Sequence, residues 1–169
     1  MTASTPAESP RPRHLTTAER TSDRELTVTR TFDAPARSVF RAWTEPALLA
    51  RWWVPKSFGL TLLSCEMDVR VGGGYRLTFA PMGGATEPMV FFGTYREVVV
   101  NERLVWTNEE GADGALTTVT FEELNGKTRV VMRDRYPSKE ALDEAMTNGS
   151  TSGFEETFAQ LEALLSASL

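Results

Sequence analysis

A single cysteine, Cys65, and a single histidine, His14, occur in 169 residues. One cysteine excludes an internal disulfide and any multi-cysteine metal site. His14 lies in a polar N-terminal stretch, so neither a Ser-His-Asp nor a Cys-His arrangement can form within the folded region. No apolar run approaches the roughly 20 residues needed to span a bilayer, because Gly, Thr or a charge breaks each one within a few positions. The folded region has no Lys/Arg cluster, and the formal net charge is −5, which argues against a nucleic-acid backbone as partner. A secretory signal would need an apolar h-region, and none is present. Glu8, Glu19 and Asp23 weaken a transit-peptide reading, so the cytoplasm is the expected compartment. No metal, cofactor, nucleic acid or membrane is expected as a partner, and a homodimer is allowed by the sequence.

What remains is an ordinary globular composition, 41% apolar and 24% charged, long enough for one domain with one core. Residues 1–24 are rich in Thr, Ser, Pro, Arg and Glu and have almost no large side chain to bury, so a disordered tail is expected there. The domain is expected over residues 25–166. Glu25 to Phe32 alternates with period two and reads as a strand. Asp33-Ala34-Pro35 reads as a helix start with Asp33 as cap, and Pro46 opens a second short helix that ends near Trp52-Trp53. From Leu60 the period is two for about 75 residues, giving six more strands. Within them Asn125-Gly126 is a type I′ hairpin signal. After Pro137-Ser138 an i, i+3/i+4 apolar stripe runs from Leu142 to Leu165, with Asn148-Gly149 as a point of interruption. Seven antiparallel strands with one long helix left to cover them make an α+β domain, with the sheet curled around that C-terminal helix.

Several runs in this order are similar to the activator of Hsp90 ATPase homologue 1-like (AHSA1-like) branch of the START-like, or SRPBCC, superfamily. They are Arg30-Thr31-Phe32-Asp33-Ala34-Pro35, Trp52-Trp53-Val54-Pro55, Asp68-Val69-Arg70-Val71-Gly72-Gly73, Gly93-Thr94-Tyr95-Arg96-Glu97, Arg103-Leu104-Val105-Trp106-Thr107 and the late Gly153-Phe154 leading to Leu161. The resemblance covers about Leu26 to Leu165. It implies a helix-grip fold, a curved seven-stranded antiparallel sheet around a long C-terminal helix with two short helices between the first two strands. It also implies an apolar pocket between sheet and helix. Phe154 stands where family members usually have Trp, which would widen that end of the pocket. Function does not follow from such a fold alone.

The residues expected to line the pocket are Trp53, Phe79, Phe91, Tyr95, Trp106, Met132, Tyr136, Met146, Phe154 and Phe158. Each could equally be core, but a sheet curled round one helix rarely closes tightly, and apolar walls with a few polar groups suit small molecules. Phe91 and Phe92 face opposite ways, so only one can point inward. Tyr95 and Arg76 are candidate polar anchors. If any acid–base chemistry occurs, Glu97, Asp134 and Tyr95 are its candidates, since desolvation against the pocket would raise a carboxyl pKa. Glu66, Asp68 and Arg70 share a strand face and read as a solvated ladder. Gly72-Gly73-Gly74 lacks the spacing of a phosphate loop and reads as a turn. Cys65 reads as packing. Sequestration of a small hydrophobic ligand therefore leads, a cyclase- or lyase-like enzyme using a cavity carboxylate follows, and a chaperone-interaction module comes last.

Overall fold

The computed structural model describes residues 16–110, 114–147 and 152–168. Its strands are β1 (Thr17–Arg20), β2 (Glu25–Phe32), β3 (Leu62–Met67), β4 (Gly74–Phe79), β5 (Met89–Val99), β6 (Arg103–Thr107), β7 (Leu116–Leu124) and β8 (Lys127–Arg135). Its helices are α1 (Ala36–Thr44), α2 (Pro46–Leu49), α3 (Lys139–Thr147) and α4 (Phe154–Ser168). All neighbours in the sheet are antiparallel, in the order β1-β2-β8-β7-β6-β5-β4-β3. Successive antiparallel connections generate the β3-to-β8 meander, and β2 adds to its far side along β8. This is the helix-grip fold, a curved antiparallel sheet with a C-terminal helix.

Eight strands are present among the described residues where seven were expected. The extra one, β1, falls in the stretch read as a disordered tail, and all four of its residues are exposed. It has no apolar period to detect. Backbone pairing from Thr17↔Thr29 to Arg20↔Leu26 holds it, with Arg20 also bonded to Asp143 of α3 at 2.6 Å. The tail reading is corrected for residues 16–24; residues 1–15 lie outside the described residues. The N-cap position of α1 falls on Pro35, two residues past the expected Asp33. Glu123, at the end of β7, accepts a hydrogen bond from the Ala36 N–H at 2.7 Å, and Asp33 pairs with Lys127 at 3.3 Å. The second short helix stops at Leu49, and turns carry the chain on through Trp53. Ser138 does cap α3, accepting from the Ala141 N–H at 3.0 Å.

Alternation along β2 buries Leu26, Val28, Arg30 and Phe32 on one face, and the same rule buries Leu77 and Phe79 of β4. The hairpin at Asn125-Gly126 has φ of 55° and 77°, the left-handed values a type I′ turn requires, and sets the β7–β8 register at Leu124↔Lys127. An aromatic cluster forms the core between the sheet, α1 and α4. The Trp43 ring stands edge-on to Trp52 (4.5 Å), Phe121 (5.4 Å) and Phe158 (5.9 Å), and Phe32 packs on Phe158 (5.7 Å). Buried Arg30 ties β2 to α4 through Glu162 and Glu155. Cavities open beside the aromatic cluster, and Phe158 borders one of them.

Candidate functional site

A cavity of about 450 Å³ opens between the sheet and a roof made of α3, the first turn of α4 and Trp53. Tyr75 and Leu77 (β4), Phe91 (β5), Trp106 (β6), Thr117 (β7) and Met132 and Asp134 (β8) form its floor. Tyr136, just past β8, continues the row, because residues two apart share a sheet face. Trp53, Ala141, Ala145 and Phe154 close it from above, and Glu110 and Glu144 also line it. A second hollow of about 220 Å³ shares Trp53, Phe91, Met132 and Phe154 with the first and extends under α4 to Phe158. Both hollows lie between the sheet and the C-terminal helical stretch, with α3 over the larger of the two and the start of α4 over the smaller.

The polar end of the cavity follows from register. Trp106 pairs with Thr117, and Thr117 with Asp134, so the three side chains form one row across β6, β7 and β8. Thr117 Oγ1 donates to Asp134 Oδ1 at 2.6 Å. Asn108 Nδ2 in turn donates to Thr117 Oγ1 (3.0 Å) and to the Ala115 carbonyl (2.6 Å). The Tyr75 hydroxyl donates to the Thr107 carbonyl at 2.8 Å and lies 3.2 Å from Asn108 Oδ1. Gly93 permits that placement: a Cβ there would come within 1.9 Å of the Thr107 carbonyl oxygen and 2.8 Å of the Tyr75 ring.

Burial pushes the Asp134 carboxyl up to about 6, against the smaller opposing effect of the Thr117 hydrogen bond. Among the described residues, no cation contributes to the shift. Asp134 is half-buried and borders the cavity. Burial and then the nearby Asp134 charge raise the Tyr136 phenol to about 12, and burial likewise raises Tyr75 and Tyr95.

Of the sequence-selected residues, Trp53, Phe91, Trp106, Met132, Tyr136, Phe154 and Asp134 meet around the main cavity. Phe91, not Phe92, is the inward member of its pair. Phe79 and Phe158 are core residues, 2% and 1% exposed, that border the second hollow. Tyr95 is corrected to the core: it packs on Tyr75 and Trp106 beside a void of about 30 Å³, outside the main cavity. Met146 is exposed on the outer side of α3, one residue past the inward Ala145. Glu97 is half-exposed and pairs with Arg103 at 3.1 Å, and Arg76 is on the outer sheet face. The ladder Glu66, Asp68, Arg70 is solvated, with Arg70 on Asp68 at 2.8 Å. Cys65 is half-buried, and burial pushes its thiol up, away from reactivity.

Sequence reasoning missed Asn108, Thr117, Glu110, Glu144 and Gln160. Counting outward from the Asn125-Gly126 turn would have placed Thr117 opposite Asp134. Gln160 acts from behind: its Nε2 donates to the Trp52 and Val54 carbonyls (3.0 and 2.9 Å) and its Oε1 accepts from the Lys56 N–H (2.9 Å). Those three bonds fix the segment that carries Trp53 over the cavity. Among the described residues, no group of three or more His, Cys, Asp or Glu could hold a metal, and no helix is long and apolar enough to cross a membrane.

The family model described as activator of Hsp90 ATPase homolog 1-like protein matches residues 33–166. The chain belongs to the AHSA1 family. Several solved bacterial structures share the fold. A Rhodobacter sphaeroides protein is 23% identical, with a TM-score of 0.79 over 90% of this chain and 98% of that one. A Nitrosomonas europaea protein is 24% identical, with a TM-score of 0.76 over 87% and 97%. A Mycobacterium smegmatis protein is 25% identical, with a TM-score of 0.75 over 90% and 98%. No curated protein matches the sequence. For this AHSA1 member the family indicates a ligand-binding fold, with no particular ligand.

Proposed function

We propose that the protein binds or sequesters a small, largely hydrophobic molecule in the cavity beneath α3 and Trp53. The observation carrying this reading is a cavity of about 450 Å³ walled by Trp53, Tyr75, Phe91, Trp106, Tyr136 and Phe154, a size and lining that suit small-molecule sites. Burying apolar ligand surface there contributes about 25 cal/mol per Å² before association costs. Met132 adds a side chain that adapts to ligand shape. Titration with the neutral dye N-phenyl-1-naphthylamine tests the reading. It should saturate at one dye per chain and quench tryptophan emission, since Trp53 and Trp106 would touch it. A linear, non-saturating response would overturn the proposal.

One observation favours a second reading, a cyclase- or lyase-like enzyme. Asp134 borders the cavity with its carboxyl pushed up to about 6, where it could hold or release a proton near neutral pH. Glu97 and Tyr95 have no place in that chemistry, because neither reaches the main cavity.

A further inference from the structure

The polar groups of the cavity are unequal in kind. Asn108 spends its amide hydrogens on Ala115 and Thr117, Tyr75 donates to the Thr107 carbonyl, and Thr117 donates to Asp134. The donors of this network are therefore turned inward on the protein. The charged groups on the lining are all acceptors: Asp134 on the floor, held among the described residues by one hydrogen bond at Oδ1, with the exposed carboxylates of Glu144 on α3 and of Glu110, which also accepts from the Phe92 N–H at 3.4 Å. Among the described lining residues, the uncommitted side-chain donors are the Tyr136 hydroxyl and the indole N–H groups of Trp53 and Trp106, and none of them carries a charge. No Lys or Arg is among the described lining residues. An anionic ligand would meet carboxylates and only neutral donors. A wholly apolar one would leave Asp134 buried with no counter-charge.

We propose that the cavity selects a lipophilic amine, an apolar body whose protonated nitrogen meets the Asp134 carboxylate while aromatic rings enclose the rest. This inference rests on the cavity being a small-molecule site. The chemistry is complementary at each point. An ammonium supplies the hydrogen bonds that Asp134 can accept and the charge that its burial lacks. Aromatic faces such as Trp53, Trp106 and Tyr136 attract a cation through the ring quadrupole, most strongly where water is excluded. The net charge of −5 favours encounter with a cation over an anion.

Three probes of one shape test this on the full chain: 2-naphthylmethylamine, 2-naphthylmethanol and 2-naphthoate, compared by calorimetry at pH 7.5. The amine should bind about tenfold more tightly than the alcohol, with the carboxylate weakest. Asp134→Asn, whose amide oxygen can still accept from Thr117, should abolish the amine's advantage over the alcohol. Alcohol binding equal to amine binding in the unaltered protein would overturn the amine preference and leave the cavity reading standing. So would a preference that survives Asp134→Asn. If none of the three saturates, both readings fail together.

Discussion

At the scale of single residues, Asp134 carries the most chemistry. Its carboxyl is pushed up to about 6 because the folded chain takes it out of water, while an unfolded chain leaves it near the ordinary aspartate value. The folded state therefore holds the proton more tightly, and stability falls as pH rises between the two values. Below about pH 4 both states are protonated and the penalty vanishes; above about 6 it is complete and flat. Asp134→Asn removes the ionisation and should stabilise the fold at pH 7.5 by about 1–3 kcal/mol, with no gain near pH 4. Urea unfolding of both proteins at the two pH values measures this, and an equal difference at both would count against it. Asp134 was readable from sequence as facing the same way as Met132 and Tyr136. Whether that face was core or cavity was not, since alternation reports a buried side and not the space above it. Tyr95 shows the limit: its strand face was right, but neighbouring Tyr75 and Trp106 fill the volume around it.

At the scale of elements, the strands were legible because a half-buried sheet imposes period two over long runs, as in β7 and β8, where Leu116–Leu124 and Lys127–Arg135 flank an unambiguous turn. β1 was not, because an exposed edge strand needs only backbone partners. Helix α3 and α4 share one apolar stripe in sequence, yet α3 roofs the cavity and α4 fills the core. Only the tertiary arrangement separates those tasks. The Trp53 segment depends on α4 through Gln160, which serves two carbonyls and one amide. Gln160→Ala removes all three bonds and should cost about 1–3 kcal/mol in stability. It should also free the segment, seen as faster amide exchange across residues 52–56. Unchanged exchange there would show that packing alone holds Trp53.

At the scale of the whole molecule, the cavities open beside the packed aromatic core. The aromatic cluster of Trp43, Trp52, Phe121 and Phe158 gives α4 a rigid seat, so the hollow beside it keeps its shape without a ligand. The family and fold were legible from short runs such as Trp52-Trp53-Val54-Pro55, and the match over residues 33–166 agrees. The account stands on one claim, that this hollow is where a small molecule goes. Ala145 lines it from α3 and is 6% exposed, so a large side chain there has nowhere to go but inward. The decisive measurement is N-phenyl-1-naphthylamine titration of Ala145→Trp beside the unaltered chain, with circular dichroism confirming that both are folded. The account predicts saturable binding that the filled variant loses; a folded variant that binds the dye with unchanged affinity would contradict it.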